Sequence, residues 1–373
     1  MNTIEKLNIL GGGANYDVCG SARNVKKRKD TAAMNGMGIY DCTAKEENCR
    51  VMKVLFSNSC LHDCKYCFNS AEGKQKTIFE PQELAQTATK FYKDGLVHGL
   101  FLSSAVTKDT DLITEKMIET AKIMRERLNF TGYLHLKVLP GASKDHVKEL
   151  ARYADRLSVN IESPEKSSFS EMSSTKDYNI DILRRMRWAK EMKEKGIVKS
   201  GHTTQMIVGG SGENDSAYIK SMNKLYNEMK LNRVYFSAFR PVKGTELEKQ
   251  KEVPAVREHR LYQTDWLMRE YGYSPNEMIS VLNEEGNLNL HTDPKILFAS
   301  GEKLLLDPKN SSYGELLRIP GIGPKTAENI VKGQKNGEIA SFNDLKAKGV
   351  ILKRALPYLK LGGSRQFALA EFA

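Results

Sequence analysis

The sequence of 373 residues lacks the features that mark membrane and secreted proteins. No apolar run approaches the roughly 18–20 residues that a membrane-spanning helix needs, and residues 1–16 have no apolar segment behind a basic start, as a signal peptide would. Six cysteines are too few in so long a chain to predict a disulfide framework. These absences predict a cytoplasmic protein in a reducing compartment, where thiols and oxygen-sensitive clusters persist.

Basic residues outnumber acidic residues in this sequence. Lysine and arginine number 57 against 46 aspartates and glutamates, so the formal net charge is +11. A hydrophobic content of 40% is enough for a core, and the length predicts one large domain plus a smaller one. The basic excess favours a polyanionic partner, most simply a nucleic acid.

Three cysteines stand close together in the segment CLHDCKYC over residues 60–67. The spacing C-x3-C-x2-C lets three thiolates bind one iron–sulfur cluster and leaves the fourth iron open to a small molecule. A fourth cysteine would close the site to chemistry. A zinc site would need a fourth ligand at finger-like spacing, and His62 lies too close to its neighbours to close a tetrahedron with them. The strand-like run 51–56 places this loop at the carboxyl end of a strand, as in a β/α barrel.

Strand-like and helix-like segments alternate from residue 51 to residue 250. The predicted strands are 51–57, 99–104, 133–139, 156–161, 203–209 and 233–239. The predicted helices between them are 81–94, 111–128, 144–154, 179–195 and 215–230. Six β/α repeats predict parallel strands with right-handed crossovers, and six is fewer than a closed barrel needs. The predicted fold class is therefore α/β, with a partial (β/α)6 barrel.

Polar side chains stand at the predicted carboxyl ends of two strands. In the segment SVNIE over 158–162, Asn160 and Glu162 alternate with apolar residues, so both face one side of the strand. Burying them unpaired would be costly, which predicts that they face a cavity with a ribose or a carboxylate as partner. Arg240 follows the last predicted strand, where it can meet an anion.

The cysteine spacing resembles the motif of the radical S-adenosylmethionine (SAM) enzymes. That resemblance implies a [4Fe–4S] cluster on Cys60, Cys64 and Cys67, with SAM on the open iron, an electron donor such as flavodoxin or ferredoxin, and release of a 5′-deoxyadenosyl radical. It also implies a six-stranded partial barrel, in agreement with the predicted strands. By the same resemblance the further residues expected to line the SAM site are Tyr66, Phe68, Ser103, Ser104 and Gln205.

A second motif, LLRIPGIGPKTA, occupies residues 316–327. Its glycines would bend a hairpin between two helices, and Pro324 would begin the second helix. Backbone N–H groups, the helix N-terminus and a lysine there suit a phosphate. The residues predicted to contact nucleic acid are Gly321, Gly323, Lys325 and Thr326. The motif resembles the helix-hairpin-helix element of DNA-repair and replication proteins, which binds the DNA backbone without base-specific contacts. The alternative is a hairpin used only for packing or for a protein partner.

Four regions are predicted. They are an N-terminal extension with Cys19, Cys42 and Cys49 (1–50), a radical SAM barrel (51–250), a helical connector (251–300) and an all-α helix-hairpin-helix module (301–373). This combination, together with segments at 15–17, 235–239 and 350–355, resembles radical SAM proteins associated with DNA modification or repair. The resemblance implies double-stranded DNA as the nucleic acid and a partner resembling uracil-DNA glycosylase.

Three functions are open from the sequence. The first is a radical enzyme that modifies or repairs DNA, with Cys42, Cys49 or a tyrosine as the hydrogen donor that quenches the product radical. Buried structural thiols are the alternative for both cysteines. The second is an enzyme that modifies RNA or tRNA, with the extra cysteines holding a second cluster. The third is a DNA-binding scaffold whose cluster is structural or redox-sensing and which recruits a glycosylase.

Overall fold

The computed structural model describes residues 1–14, 38–44, 47–70, 75–361 and 364–365. The chain divides into two compact units, residues 1–213 with 221–259 and residues 214–220 with 260–373. The predicted connector therefore contributes residues to both units. Cys19 lies outside the described residues. Within the described ranges, every helix is too short or too polar to cross a lipid bilayer.

The first unit is built on a sheet of seven strands that follow one another in chain order. They are β1 (Ile39–Ala44), β2 (Glu47–Leu55), β3 (Gly99–Ser103), β4 (Tyr133–Lys137), β5 (Arg156–Ser158), β6 (His202–Val208) and β7 (Arg233–Ala238). Strands β2 to β7 are parallel and correspond to the six predicted strands, which confirms the α/β half-barrel sheet. Strands β3 and β6 are buried along their whole length, as parallel strands covered on both faces are.

Strand β1 is an addition to the predicted sheet. It pairs antiparallel with β2, so that Ile39 lies opposite Met52 and Ala44 opposite Glu47. The sequence of this region shows no hydrophobic period. The strand therefore depends on its pairing with β2 rather than on a local pattern, which is why sequence reasoning missed it.

Helices connect the strands. They are α1 (Thr3–Gly13), α2 (Pro81–Lys93), α3 (Thr110–Lys122), α4 (Lys144–Tyr153), α5 (Lys166–Met172), α6 (Arg184–Glu194) and α7 (Asp215–Asn227), and π-helical turns at Ile123–Arg127 and Tyr178–Leu183 extend α3 and precede α6. The predicted helices begin at recognisable caps: Pro81 lies in the first turn of α2, and the Asp109 and Ser143 side chains cap α3 and α4. Helix α5 was not predicted because it has only seven residues, of which Phe169 and Met172 are buried.

The second unit is mostly helical. Helix α8 (Ala255–Glu270) enters it at residue 260, and the elements that follow are α9 (Pro275–Ile279), α10 (Pro294–Gly301), α11 (Tyr313–Leu316), α12 (Pro324–Lys335), α13 (Phe342–Ala347), α14 (Leu352–Ala355), β8 (Lys360–Leu361) and β9 (Ser364–Arg365). Strands β8 and β9 form a two-stranded antiparallel sheet, so the prediction of an all-α module is wrong in this respect. The residues at the centre of the core are Leu316, Ile319, Ile322, Ile330, Leu345 and Leu359.

Two hairpins of this unit lie side by side. The first hairpin (residues 318–323) joins α11 to α12, and the second hairpin (residues 348–351) joins α13 to α14. The Ile351 N–H donates a hydrogen bond of 3.1 Å to the Gly321 carbonyl. Gly321 has a φ of +87°, and a Cβ at this position would lie 2.7 Å from the Ile351 carbonyl oxygen. Glycine is therefore required here by backbone conformation and by the contact between the hairpins.

Candidate active site

One cavity lies at the carboxyl ends of the parallel strands and has a volume of about 280 Å³. The three clustered cysteines line it, and so does every residue expected to contact SAM. These residues are Cys60, Cys64, Cys67, Tyr66, Phe68, Ser103, Ser104, Asn160, Glu162, Gln205 and Arg240. The fold thus gathers polar groups from the cysteine loop and from β3, β6 and the ends of β5 and β7, as the carboxyl edge of a barrel does.

Backbone hydrogen bonds anchor the cysteine loop at both ends. The Leu61 N–H donates to the Val106 carbonyl at 2.7 Å. Further along, the Lys65 N–H donates to the Met172 carbonyl at 3.0 Å, and the Lys65 carbonyl accepts from the Leu247 N–H at 3.0 Å. The loop is therefore tied to the end of α5 and to the chain segments that follow β3 and β7.

Internal contacts also shape the loop around the second and third cysteines. The Ser70 hydroxyl contacts the carbonyl oxygens of Cys64 at 2.6 Å and Cys67 at 2.8 Å, so it closes the turn between them. The Asn69 N–H donates to the Cys67 sulfur at 3.4 Å. Such a bond favours the thiolate, which is the form that binds iron.

Asp63 fastens the loop to the segment of residues 173–175, called the latch below. Its carboxylate accepts hydrogen bonds from the Ser173 hydroxyl at 2.7 Å, the Ser174 N–H at 3.0 Å and the Thr175 hydroxyl at 2.8 Å. Partial burial would raise the pKa of Asp63, but the hydrogen bonds from Ser174, Ser173 and Thr175 outweigh it and hold that pKa well below its usual range. The carboxylate is therefore charged, and these bonds are of the stronger, charge-assisted kind.

The variant Asp63→Ala should bind less iron. Each charge-assisted bond is worth roughly 1.5–3 kcal/mol, so their joint loss frees the cysteine loop from the latch. After anaerobic reconstitution we expect at least a twofold fall in iron and sulfide per chain. Glu171→Ala is the matched control, because Glu171 is an exposed carboxylate in α5 just before the latch. Equal iron in D63A and the wild type would show that the latch does not support the loop.

Tyr66 and Glu162 form a polar pair in the cavity. Burial, followed by the negative charge of the nearby Glu162, raises the pKa of Tyr66 well above its usual value. Glu162 has a φ of +62°, and its backbone is fixed by hydrogen bonds to Gln205 at 2.9 Å and from Ile207 at 2.7 Å. A residue held in this rarely occupied backbone conformation is typical of functional sites.

Cationic side chains also line the cavity, and sequence reasoning missed three of them. Lys176 directly follows the latch. Lys53, in β2, is only 2% exposed, and its ammonium lies 4.0 Å from the centre of the Tyr40 ring. Lys137 ends β4. Lysine is usually exposed, so a lysine in a sequence predicts a surface position. Only the pairing of β2, β3 and β4 shows that Lys53 and Lys137 line one cavity.

Two predicted contact residues have other partners. The Ser104 hydroxyl accepts from the Ser57 N–H at 3.2 Å and contacts the Ala105 carbonyl at 2.8 Å, so it stabilises the ends of β2 and β3. Arg240 forms an ion pair of 3.4 Å with Glu252, and its side chain is 44% exposed. Both residues line the cavity, but their side chains also have structural contacts.

The donors of the cavity fit an iron–sulfur cluster with SAM. Burial raises the pKa of Cys67 to about 12, so a thiolate there needs strong positive charge such as iron. Among the described residues, the His62 Nε2 and Asn69 Oδ1 atoms are buried without a hydrogen-bond partner. In the same residues no three ligand side chains meet around one metal ion; a cluster does not require this, because each of its cysteines binds a different iron.

The pairing of β1 with β2 fixes the backbone positions of Cys42 and Cys49. They lie opposite each other in the pairing of β1 with β2. Cys49 precedes Leu55, the last residue of β2, by six positions, which is about 20 Å along a strand. Cys49 therefore lies toward the amino end of β2, whereas the cysteine loop follows the carboxyl end of that strand. The role of Cys42 and Cys49 as hydrogen donors stays a prediction. The Cys42 side chain lies outside the described residues.

Comparison with known proteins agrees with this geometry. Residues 54–225 match the model of the radical SAM superfamily. The chain is 25% identical over 271 residues to threonylcarbamoyladenosine tRNA methylthiotransferase of Xenopus laevis, which covers 67% of this chain and 46% of that protein. It thus spans less than half the length of this curated relative.

Solved structures give more distant similarities. Methylornithine synthase is 15% identical, with 68% of this chain and 77% of that chain covered and a TM-score of 0.47. The FeFe-hydrogenase maturase HydG from Carboxydothermus hydrogenoformans is 12% identical, with 58% and 51% covered and a TM-score of 0.48. The family match, together with the cysteine loop and the half-barrel, identifies residues 54–225 as a radical SAM superfamily domain, and this superfamily uses a [4Fe–4S] cluster and SAM as cofactors.

Proposed function

We propose that Cys60, Cys64 and Cys67 hold the cluster and that the polar groups of the same cavity hold SAM. When bound, these cofactors supply a 5′-deoxyadenosyl radical that abstracts hydrogen from a substrate. The protein's own contribution is position: Asp63 fixes the cysteine loop through the latch. Glu162, held by its backbone hydrogen bonds to β6, presents a carboxylate acceptor to a ribose or an ammonium group.

The remaining assignments follow the lining of the cavity. Gln205 and Asn160 offer amide groups that can donate and accept hydrogen bonds. Ser103, only 1% exposed, and the aromatic rings of Tyr66 and Phe68 provide the less polar wall that suits an adenine. Such a wall also excludes water, which protects a radical from side reactions.

We further propose that the substrate is a nucleic acid. The observation that carries this proposal is the pair of adjacent hairpins in the second unit. Lys325 is exposed at the start of α12 and Lys353 at the start of α14, so each hairpin is followed by a cation. Lys325 lies in the first turn of α12, where the backbone N–H groups have no partner within the helix. N–H groups and a cation at a helix N-terminus suit a phosphate. Two such points can bind two phosphates of one backbone or of a duplex.

The proposed contacts differ among the four residues assigned from the sequence. Gly321 has a packing reason to be glycine, as described above. The Thr326 hydroxyl donates to the Gly349 carbonyl at 3.3 Å, so its role is to join the hairpins. The groups proposed to contact phosphate are therefore mainly the backbone around Gly323 and the Lys325 ammonium.

DNA is the first candidate, because the hairpin motif resembles the element found in DNA-repair proteins. We therefore propose DNA modification or repair as the reaction context. The second candidate is RNA, which is favoured by the similarity to a tRNA methylthiotransferase. The described residues offer no argument for a glycosylase partner, so the proposal does not extend to one.

Substrate-dependent SAM cleavage tests the proposal. The reconstituted enzyme, reduced with dithionite, would be given SAM alone, with duplex DNA or with bulk tRNA, and 5′-deoxyadenosine would be measured by mass spectrometry. We expect one nucleic acid to raise the initial rate severalfold, because a bound substrate takes up the radical. Cleavage at the same rate in all three reactions would contradict a nucleic acid substrate, and stimulation by tRNA alone would select the second candidate.

A further inference from the structure

We propose that Lys176, held beside the cysteine ligands by the latch, raises the reduction potential of the cluster. It does so by holding a fixed positive charge beside the cysteine ligands. The inference rests on the proposal that Cys60, Cys64 and Cys67 hold the cluster, but it does not depend on a nucleic acid substrate.

The latch gives Lys176 its position. The three residues before it bind the Asp63 carboxylate, and the Thr175 hydroxyl also contacts the His62 Nδ1 at 3.1 Å. Because Asp63 and His62 lie between the first two cysteines, Lys176 is attached to the cysteine loop by contacts on the immediately preceding residues. Its side chain lines the cavity, and its ammonium lies 5.7 Å from the centre of the buried Phe169 ring.

Lys176 lines the same cavity as Cys60, Cys64 and Cys67, and the Glu162 carboxylate lies in that cavity too. Lys65, the nearest lysine in the loop itself, instead pairs with Glu246 at 3.5 Å. Lys176, in contrast, directly follows the latch that binds the cysteine loop.

The effect on the cluster follows from electrostatics. Reduction adds one negative charge to the cluster, and a nearby cation stabilises the reduced form more than the oxidised form. Removing the cation would also leave the Glu162 carboxylate uncompensated near the sulfurs. Both changes disfavour the added electron, so loss of the Lys176 charge shifts the potential to more negative values.

The test is a redox titration of the reconstituted full chain without SAM. The electron comes from dithionite through viologen mediators, and the reduced cluster is followed by its electron paramagnetic resonance signal. At the wild-type midpoint, we expect Lys176→Met to lower the ratio of reduced to oxidised cluster about tenfold, which corresponds to about 59 mV for one electron. Lys176→Arg keeps the charge and should stay within about twofold of the wild type.

Matched variants separate the charge of Lys176 from other effects. Lys166→Met removes an exposed lysine at the start of α5 and should leave the titration unchanged. If K176M binds less iron than the wild type, Lys176→Gln carries the test, because it keeps a hydrogen-bond donor without the charge. A wild-type potential in an iron-replete K176M or K176Q would overturn the proposal. Weaker SAM binding at an unchanged potential would equally overturn it, because Lys176 would then serve SAM alone.

Discussion

The triple variant C60A/C64A/C67A is expected to form no 5′-deoxyadenosine above the level of a protein-free control. Its three thiolates are the ligands proposed for the cluster, and without a cluster no electron reaches SAM. The measurement is mass spectrometry of the product after anaerobic reconstitution and reduction, with iron and sulfide determined on the same sample. Both the product and the bound iron should be lost together.

The control for this experiment is Cys49→Ala. Cys49 lies about 20 Å along β2 from the end that leads into the cysteine loop, so its removal should leave iron content and product formation as in the wild type. If the triple variant kept wild-type iron and product, the cluster would have to be held elsewhere. If C49A lost iron, the N-terminal cysteines would belong to a cluster after all.

The six parallel strands were predictable because buried parallel strands carry continuous apolar runs separated by helical segments. The cavity was predictable for a related reason: the carboxyl ends of such strands meet at one edge, so Asn160 and Glu162 were expected near the cysteine loop. Local sequence thus predicted the order of the elements and the positions of Asn160 and Glu162, whereas Gln205 was expected only from the family resemblance.

Other parts of the site depend on contacts between distant segments. The latch joins Asp63 to residues that follow it by more than a hundred positions, and no local pattern in the sequence reports that pairing. Lys176 reads as a solvated lysine after three hydroxyl residues until the latch places it in the cavity. The left-handed backbone of Glu162 is likewise a product of its bonds to β6, since glutamate has no preference for that conformation.

The double variant K325A/K353A is expected to weaken binding of nucleic acid by about tenfold to a hundredfold at low salt. Each lysine that neutralises a phosphate contributes about one unit to the slope of log affinity against log salt concentration, so that slope should fall by about two. The measurement is fluorescence anisotropy of a labelled duplex DNA of 20 base pairs, and of labelled tRNA, at several salt concentrations.

The same helix supplies a matched control. K332A/K335A also removes two exposed lysines, but Lys335 lies at the far end of α12, about 15 Å from Lys325. Because the net charge changes equally in both variants, a general loss of attraction would weaken them alike, and that result would argue against a hairpin site. An effect confined to K325A/K353A would instead show that the phosphate contacts lie at the two hairpins. No effect in either variant would leave packing within the unit as the function of the glycine-rich turn.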